Sequence, residues 1–88
     1  MTDIAVEQAG GSTYRVTVTD GGSTTTHEVT VGSAEVRALG GATPESLIDA
    51  SFRFLLDREP KESILRKFEL SAIGRYFSDY PEKIVEYL

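Results

Sequence analysis

Residues 25–57, TTHEVTVGSAEVRALGGATPESLIDASFRFLLD, contain the change of period that decides the fold. Up to Val31 apolar residues alternate with polar ones, and from Thr43 onward they recur every third or fourth position. A period of two sends side chains to opposite faces of a strand, whereas a period near 3.6 gathers them along one stripe of a helix. Worked outward in both directions, this predicts an α+β fold. An N-terminal three-stranded antiparallel meander, at minimum a hairpin, occupies residues 1–32. Three to five short helices, packed on one face, occupy residues 33–88. Neither half can close a core alone, so residues 1–88 are expected to form a single domain.

The strand segments are Asp3–Gln8, Thr13–Thr19 and Thr25–Val31, separated by the glycine pairs Gly10-Gly11 and Gly21-Gly22. Glycine supplies the positive φ that tight hairpin turns need. Parity fixes the register, because a slip by one residue turns a strand inside out. A two-residue Gly21-Gly22 turn sets Tyr14 opposite Val29 and Val16 opposite His27. The first hairpin needs an odd loop, and a three-residue Gly10-Gly11-Ser12 connection sets Val6 opposite Val16 and Ile4 opposite Val18. Both registers place Arg15 on the outer face between Glu7 and Glu28, where opposite-charge neighbours contribute roughly 0.2–1 kcal/mol each.

In the second half, Ser33 is a candidate cap for a short helix over 34–39 that stops at Gly40-Gly41. Thr43-Pro44-Glu45 is a start signal: a capping threonine, proline at the first helical position and an acid in the first turn. This helix should run to about Arg58, because Pro60 disfavours helical geometry at the residue before it. Its charges, Glu45, Asp49, Arg53 and Asp57, form one narrow stripe, and Leu47, Ile48, Phe52, Phe54 and Leu55 crowd the rest. Such a helix is surrounded on most sides and is central. Further helices are expected at 61–68 (Ile64, Leu65 and Phe68 inward), after a Ser71 cap (Ile73, Tyr76, Phe77), and at 81–88 (Ile84, Val85 and Leu88 inward).

Composition removes several function classes. The chain has no cysteine, hence no disulfide framework, thiolate metal site or thiol nucleophile. Its net charge of −5 opposes non-specific attraction to nucleic acid and anionic lipid. No basic-then-apolar leader and no apolar run near ~20 residues is present, so no membrane association is expected and the cytoplasm is the expected compartment.

Chemistry-bearing constellations are sparse. The serines fall in turns or caps, no Gly-x-Ser-x-Gly elbow exists, and His27 is the only histidine. His27 falls on the inward face near a strand end, where a locally hydrogen-bonded sheet residue is the expectation rather than a titrating switch or ligand. The Gly10-Gly11-Ser12 and Gly21-Gly22-Ser23 stretches lack the following helix and Gly-Lys-Ser/Thr ending of a phosphate loop. No catalytic residue, metal ligand or cofactor site is read, and no enzyme is expected.

Two resemblances bear on function. Leu65–Phe77, LRKFELSAIGRYF, is superficially similar to a helix-turn-helix, with a first helix, a short serine-capped turn and a second helix ending in an aromatic pair. Glu69 stands where that turn usually has glycine, and the second helix is short for reaching base edges. This motif implies a DNA-binding transcriptional or antitoxin-like regulator using Lys61–Phe77, with Lys61, Arg66, Lys67 and Arg75 as contacts. Interleaved Glu59, Glu62 and Glu69 disfavour nucleic acid. The stretch 51–66, SFRFLLDREPKESILR, followed by Ile73-Gly74-Arg75-Tyr76-Phe77, resembles short prokaryotic proteins of unassigned function, which implies a fold and transfers no functional residues. The favoured reading is therefore a small non-enzymatic protein-interaction or adaptor domain that binds an unidentified protein partner or itself. Its candidate surface is Tyr76, Phe77, Tyr80 and Tyr87, crowded into the last residues, since aromatic residues are enriched at interfaces.

Overall fold

The computed structural model of the chain describes residues 2–40 and 43–88. Strands β1 (Asp3–Gly10), β2 (Thr13–Asp20) and β3 (Ser23–Thr30) form the antiparallel meander. Gly21 and Gly22 both take positive φ, 61° and 83°, as a two-residue turn matched to the sheet twist requires. Tyr14 pairs with Val29 and Val16 with His27. The first hairpin reaches its odd count by another route. Its turn is Gly11-Ser12, Gly10 pairs with Thr13, and Ala9 is an extra residue that bulges the strand. One bulge plus a two-residue turn keeps the parity, so Val6 still faces Val16 and Ile4 faces Val18.

Arg15 stands opposite Glu7 and Glu28. It closes no salt bridge with either among the described residues. The Glu28 carboxylate instead lies 3.5 Å from Lys67 Nζ. Lys67 belongs to a fourth strand, β4 (Lys67–Glu69), which runs parallel to β3 and completes the sheet order β1-β2-β3-β4.

Helix α1 (Ser33–Leu39) starts from Gly32 rather than from a Ser33 cap. The Glu35 carboxylate reaches back to the Gly32 N–H, which serves an otherwise orphaned donor. It ends at Gly40 in the left-handed region, the glycine stop expected there; Gly41 lies outside the described residues. Helix α2 (Pro44–Leu56) opens on a reciprocal cap: Thr43 Oγ1 accepts from the Ser46 N–H at 3.1 Å, and Ser46 Oγ accepts from the Thr43 N–H at 3.2 Å. It ends at Leu56, two residues before the expected limit.

α2 is central because it buries two opposite sides. Phe52 meets the sheet through His27 and Phe68, with ring centroids 5.3 and 6.1 Å away. Phe54, on the other side, is met edge-on by Phe77, Tyr80 and Tyr87. The inner face of the sheet (Tyr14, Val16, Val18, Val29) and the α2 residues Leu47, Ile48, Phe52 and Phe54 belong to one buried cluster.

The last third departs most from the sequence reading. No helix spans 61–68: a 3₁₀ turn (Lys61–Ser63) leads into extended chain and β4. Ile64 is buried as expected, but Leu65 is half exposed. A second 3₁₀ turn (Leu70–Ala72) runs into the one-turn helix α3 (Ile73–Tyr76), without a Ser71 cap. The final segment is α4 (Tyr80–Lys83) and a 3₁₀ turn (Ile84–Glu86), with Ile84 buried while Val85 and Leu88 face solvent. A 3₁₀ turn brings every third residue into line, so it cannot keep Ile84, Val85 and Leu88 on one face as an α-helix would.

Candidate interaction site

The four C-terminal aromatic residues divide between core and surface. Tyr80 is buried; its hydroxyl donates to Ser51 Oγ at 2.7 Å, and Ser51 in turn donates to the Leu47 carbonyl. Burial pushes the Tyr80 phenol up to about 12, partly offset by the Ser51 hydrogen bond. Phe77 and Tyr87 are half-buried against Phe54, and the Tyr87 hydroxyl donates to Asp57 Oδ2 at 2.6 Å. The Arg58 guanidinium lies 3.7 Å over the Phe54 ring and donates to Asp79 Oδ2 at 3.0 Å, closing the aromatic cluster with a cation. Tyr76 alone of the four stands free, 71% exposed.

Tyr76 borders a cleft of about 370 Å³ between the end of α2, the 61–68 segment and α3. Leu55, Ile64, Phe68 and Ile73 form its apolar lining, and the half-exposed Leu65 stands at its edge. Among the described residues Glu59 is its only acid, and burial raises that carboxyl's pKa from its ordinary value. The cleft exists because β4 is a strand: an extended chain holds Ile64 and Phe68 inward and away from α3, where a helix would have packed down on it. Sequence reasoning found Tyr76 and Phe77 but missed Leu65, which it assigned to a buried helical face. The visible signal was the alternation Phe68-Glu69-Leu70, too short to outweigh the helical spacing of Ile64, Leu65 and Phe68.

His27 anchors the wall of this region. It is buried; Nδ1 donates to the Leu65 carbonyl at 2.8 Å, which leaves Nε2 to accept from the Thr25 hydroxyl at 2.9 Å. Burial lowers its pKa below 6.5, and the nearby Arg66 charge lowers it further against the opposing carbonyl bond. The ring is thus a satisfied neutral clamp between β3 and the chain entering β4. Among the described residues no three metal-ligating side chains converge, and no helix is long and apolar enough to cross a membrane.

The residues of the helix-turn-helix reading do not share a helix. Lys61 is buried with its amine 2.8 Å from Glu62, Arg66 and Lys67 lie on the extended segment, and Arg75 sits on the one-turn α3. Comparison with protein-family models, curated proteins and solved structures found no match to this chain.

Proposed function

We propose that this chain is a small, non-enzymatic protein-interaction domain of the cytoplasm, and that the cleft beside β4 is its docking site. The supporting observation is the concave apolar lining flanked by Leu65 and Tyr76, two large side chains held in solvent at 49% and 71% exposure. Concave apolar surface with a few polar groups is the usual form of a binding site, and aromatic residues are enriched at its contacts. Nothing favours nucleic acid over protein here, since the basic side chains are scattered over three elements and interleaved with acids.

Selection from a random displayed-peptide library, run beside selection from random duplex DNA, tests the reading. A peptide consensus that loses binding to a Leu65→Asp, Tyr76→Ser variant is the expected result. Recovery of a DNA consensus weakened by Arg75→Ala would replace the proposal with the nucleic-acid reading.

A further inference from the structure

We infer that two copies of this chain join by antiparallel pairing of their β4 strands about a two-fold axis at Phe68, making one continuous sheet across the dimer. This names the partner for the docking site proposed above and rests on that reading.

The open edge follows from hydrogen-bond alternation. The two-residue Gly21-Gly22 turn is closed by the pair Asp20–Ser23, whose backbones bond each other. Counting back in twos, Thr26, Glu28 and Thr30 turn their backbone groups away from β2. The Glu28 N–H accordingly donates to the Arg66 carbonyl at 2.6 Å. Arg66 and Phe68 therefore bond β3, and the N–H and C=O groups of Lys67 and Glu69 point outward from the terminal strand of the sheet. No turn or loop backbone bond reaches Lys67 among the described residues. Glu69 is the N-cap of the following 3₁₀ turn, so its carbonyl opens that turn and keeps one lone pair for a strand partner. An unpaired strand edge is a template for another strand.

The Lys67-Phe68-Glu69 sequence is complementary to itself when read antiparallel. Centred on Phe68, it sets Lys67 opposite Glu69 of the second copy and Glu69 opposite Lys67. Both are the outward-bonding residues, so each pair exchanges its backbone hydrogen bonds and carries opposite charges on the same face. Phe68 meets its own symmetry mate in the non-hydrogen-bonded position, where side chains approach most closely. Phe68 faces inward with its β3 neighbour Val29 and lines the cleft, so the joined strands bring the clefts of the two copies together at the two-fold axis. An isologous contact of this kind closes on itself, consistent with a dimer rather than a fibre. The other long edge, β1, does not offer the same match: centred on Ala5 it would place Asp3 opposite Glu7 in both halves, and like charges directly opposite repel.

Two-fold symmetry supplies the test. Sedimentation equilibrium of the full chain at low salt, from micromolar to millimolar concentration, should show a monomer–dimer equilibrium. Lys67→Glu alone creates two acid–acid pairs and Glu69→Lys alone creates two lysine pairs. Each should raise the dissociation constant about tenfold or more. Mixing the two single variants restores both opposite-charge pairs and should return a heterodimer close to the original affinity. Circular dichroism of each variant checks that it folds, and Glu69→Lys does not disturb the Glu28–Lys67 contact. A chain that stays monomeric at millimolar concentration, or a dimer indifferent to these charge reversals, overturns the inference. A peptide consensus from the selection experiment would in that case leave the docking site itself standing.

Discussion

Acidification through the range of a histidine should loosen this fold. His27 is 1% exposed, with both ring nitrogens engaged: Nδ1 donates to the Leu65 carbonyl and Nε2 accepts from Thr25. Protonation places a charge in the core beside Phe52 and within reach of the repelling Arg66. The folded-state pKa lies below the ordinary histidine value of 6.5, so the unfolded chain binds the proton first. Stability is therefore fully present above pH 6.5 and falls as the pH drops below it. The slope approaches about 1.4 kcal/mol per pH unit until the folded-state pKa is reached. A domain of this length has roughly 0.05–0.15 kcal/mol of stability per residue, so such a loss is a substantial fraction of the total. Glu59 has its folded pKa raised, so its contribution is present below its unfolded value of 4.5 and is lost as pH rises from there through the folded-state value, a dependence opposite in sign to that of the histidine. Glu62 is lowered mainly by its hydrogen bond to Lys61, so its contribution is lost as pH falls below the same value. Comparison with His27→Leu separates the histidine from Glu59 between pH 7 and 5. Urea melts at half-unit intervals over that window should show a falling midpoint. In His27→Leu the fall in midpoint toward pH 5 should disappear, with a constant penalty of about 1–3 kcal/mol from the carbonyl left without its donor. A wild-type midpoint flat from pH 7 to 5, or the same slope in His27→Leu, would refute the buried neutral clamp.

Two further outcomes are expected from the packing. Phe54→Ala empties the ring that Phe77, Tyr80, Tyr87 and Arg58 surround. It should cost about 3–5 kcal/mol in chemical denaturation, whereas Asp49→Ala on the solvated stripe should shift the midpoint by under about 0.5 kcal/mol; a fully stable Phe54→Ala variant would count against the cluster. Double-mutant cycles pairing Arg15 with Glu7 and with Glu28 should give coupling within about 0.5 kcal/mol of zero, because neither pair closes a salt bridge. Coupling above about 1 kcal/mol would show ion pairs that form in solution.

The sequence by itself determined the features whose causes are local. Glycine pairs and parity were enough to set the meander's register, since a shift by one residue would have exposed Val16 and Val18. That argument survived an unforeseen bulge at Ala9 because only the odd count mattered. Thr43-Pro44 and the single charged stripe likewise determined where α2 begins and that it is central. Residues 61–88 had no such local majority. Ile64, Leu65, Phe68 and Leu70 fit a helix stripe and a strand alternation about equally, and isolated helices this short are marginal in water. Tertiary structure broke the tie. The outward backbone groups of β3 needed partners, and the His27 ring offered a donor to the Leu65 carbonyl. Extended chain satisfies both, because a helix would have spent those carbonyls on its own ladder. The cleft is the consequence: it lies between β4 and α3, elements that meet only once β3 has recruited residues some forty positions downstream. No local pattern in the sequence encodes that meeting, so the residues that flank it, Leu65 above all, were legible as apolar but not as exposed.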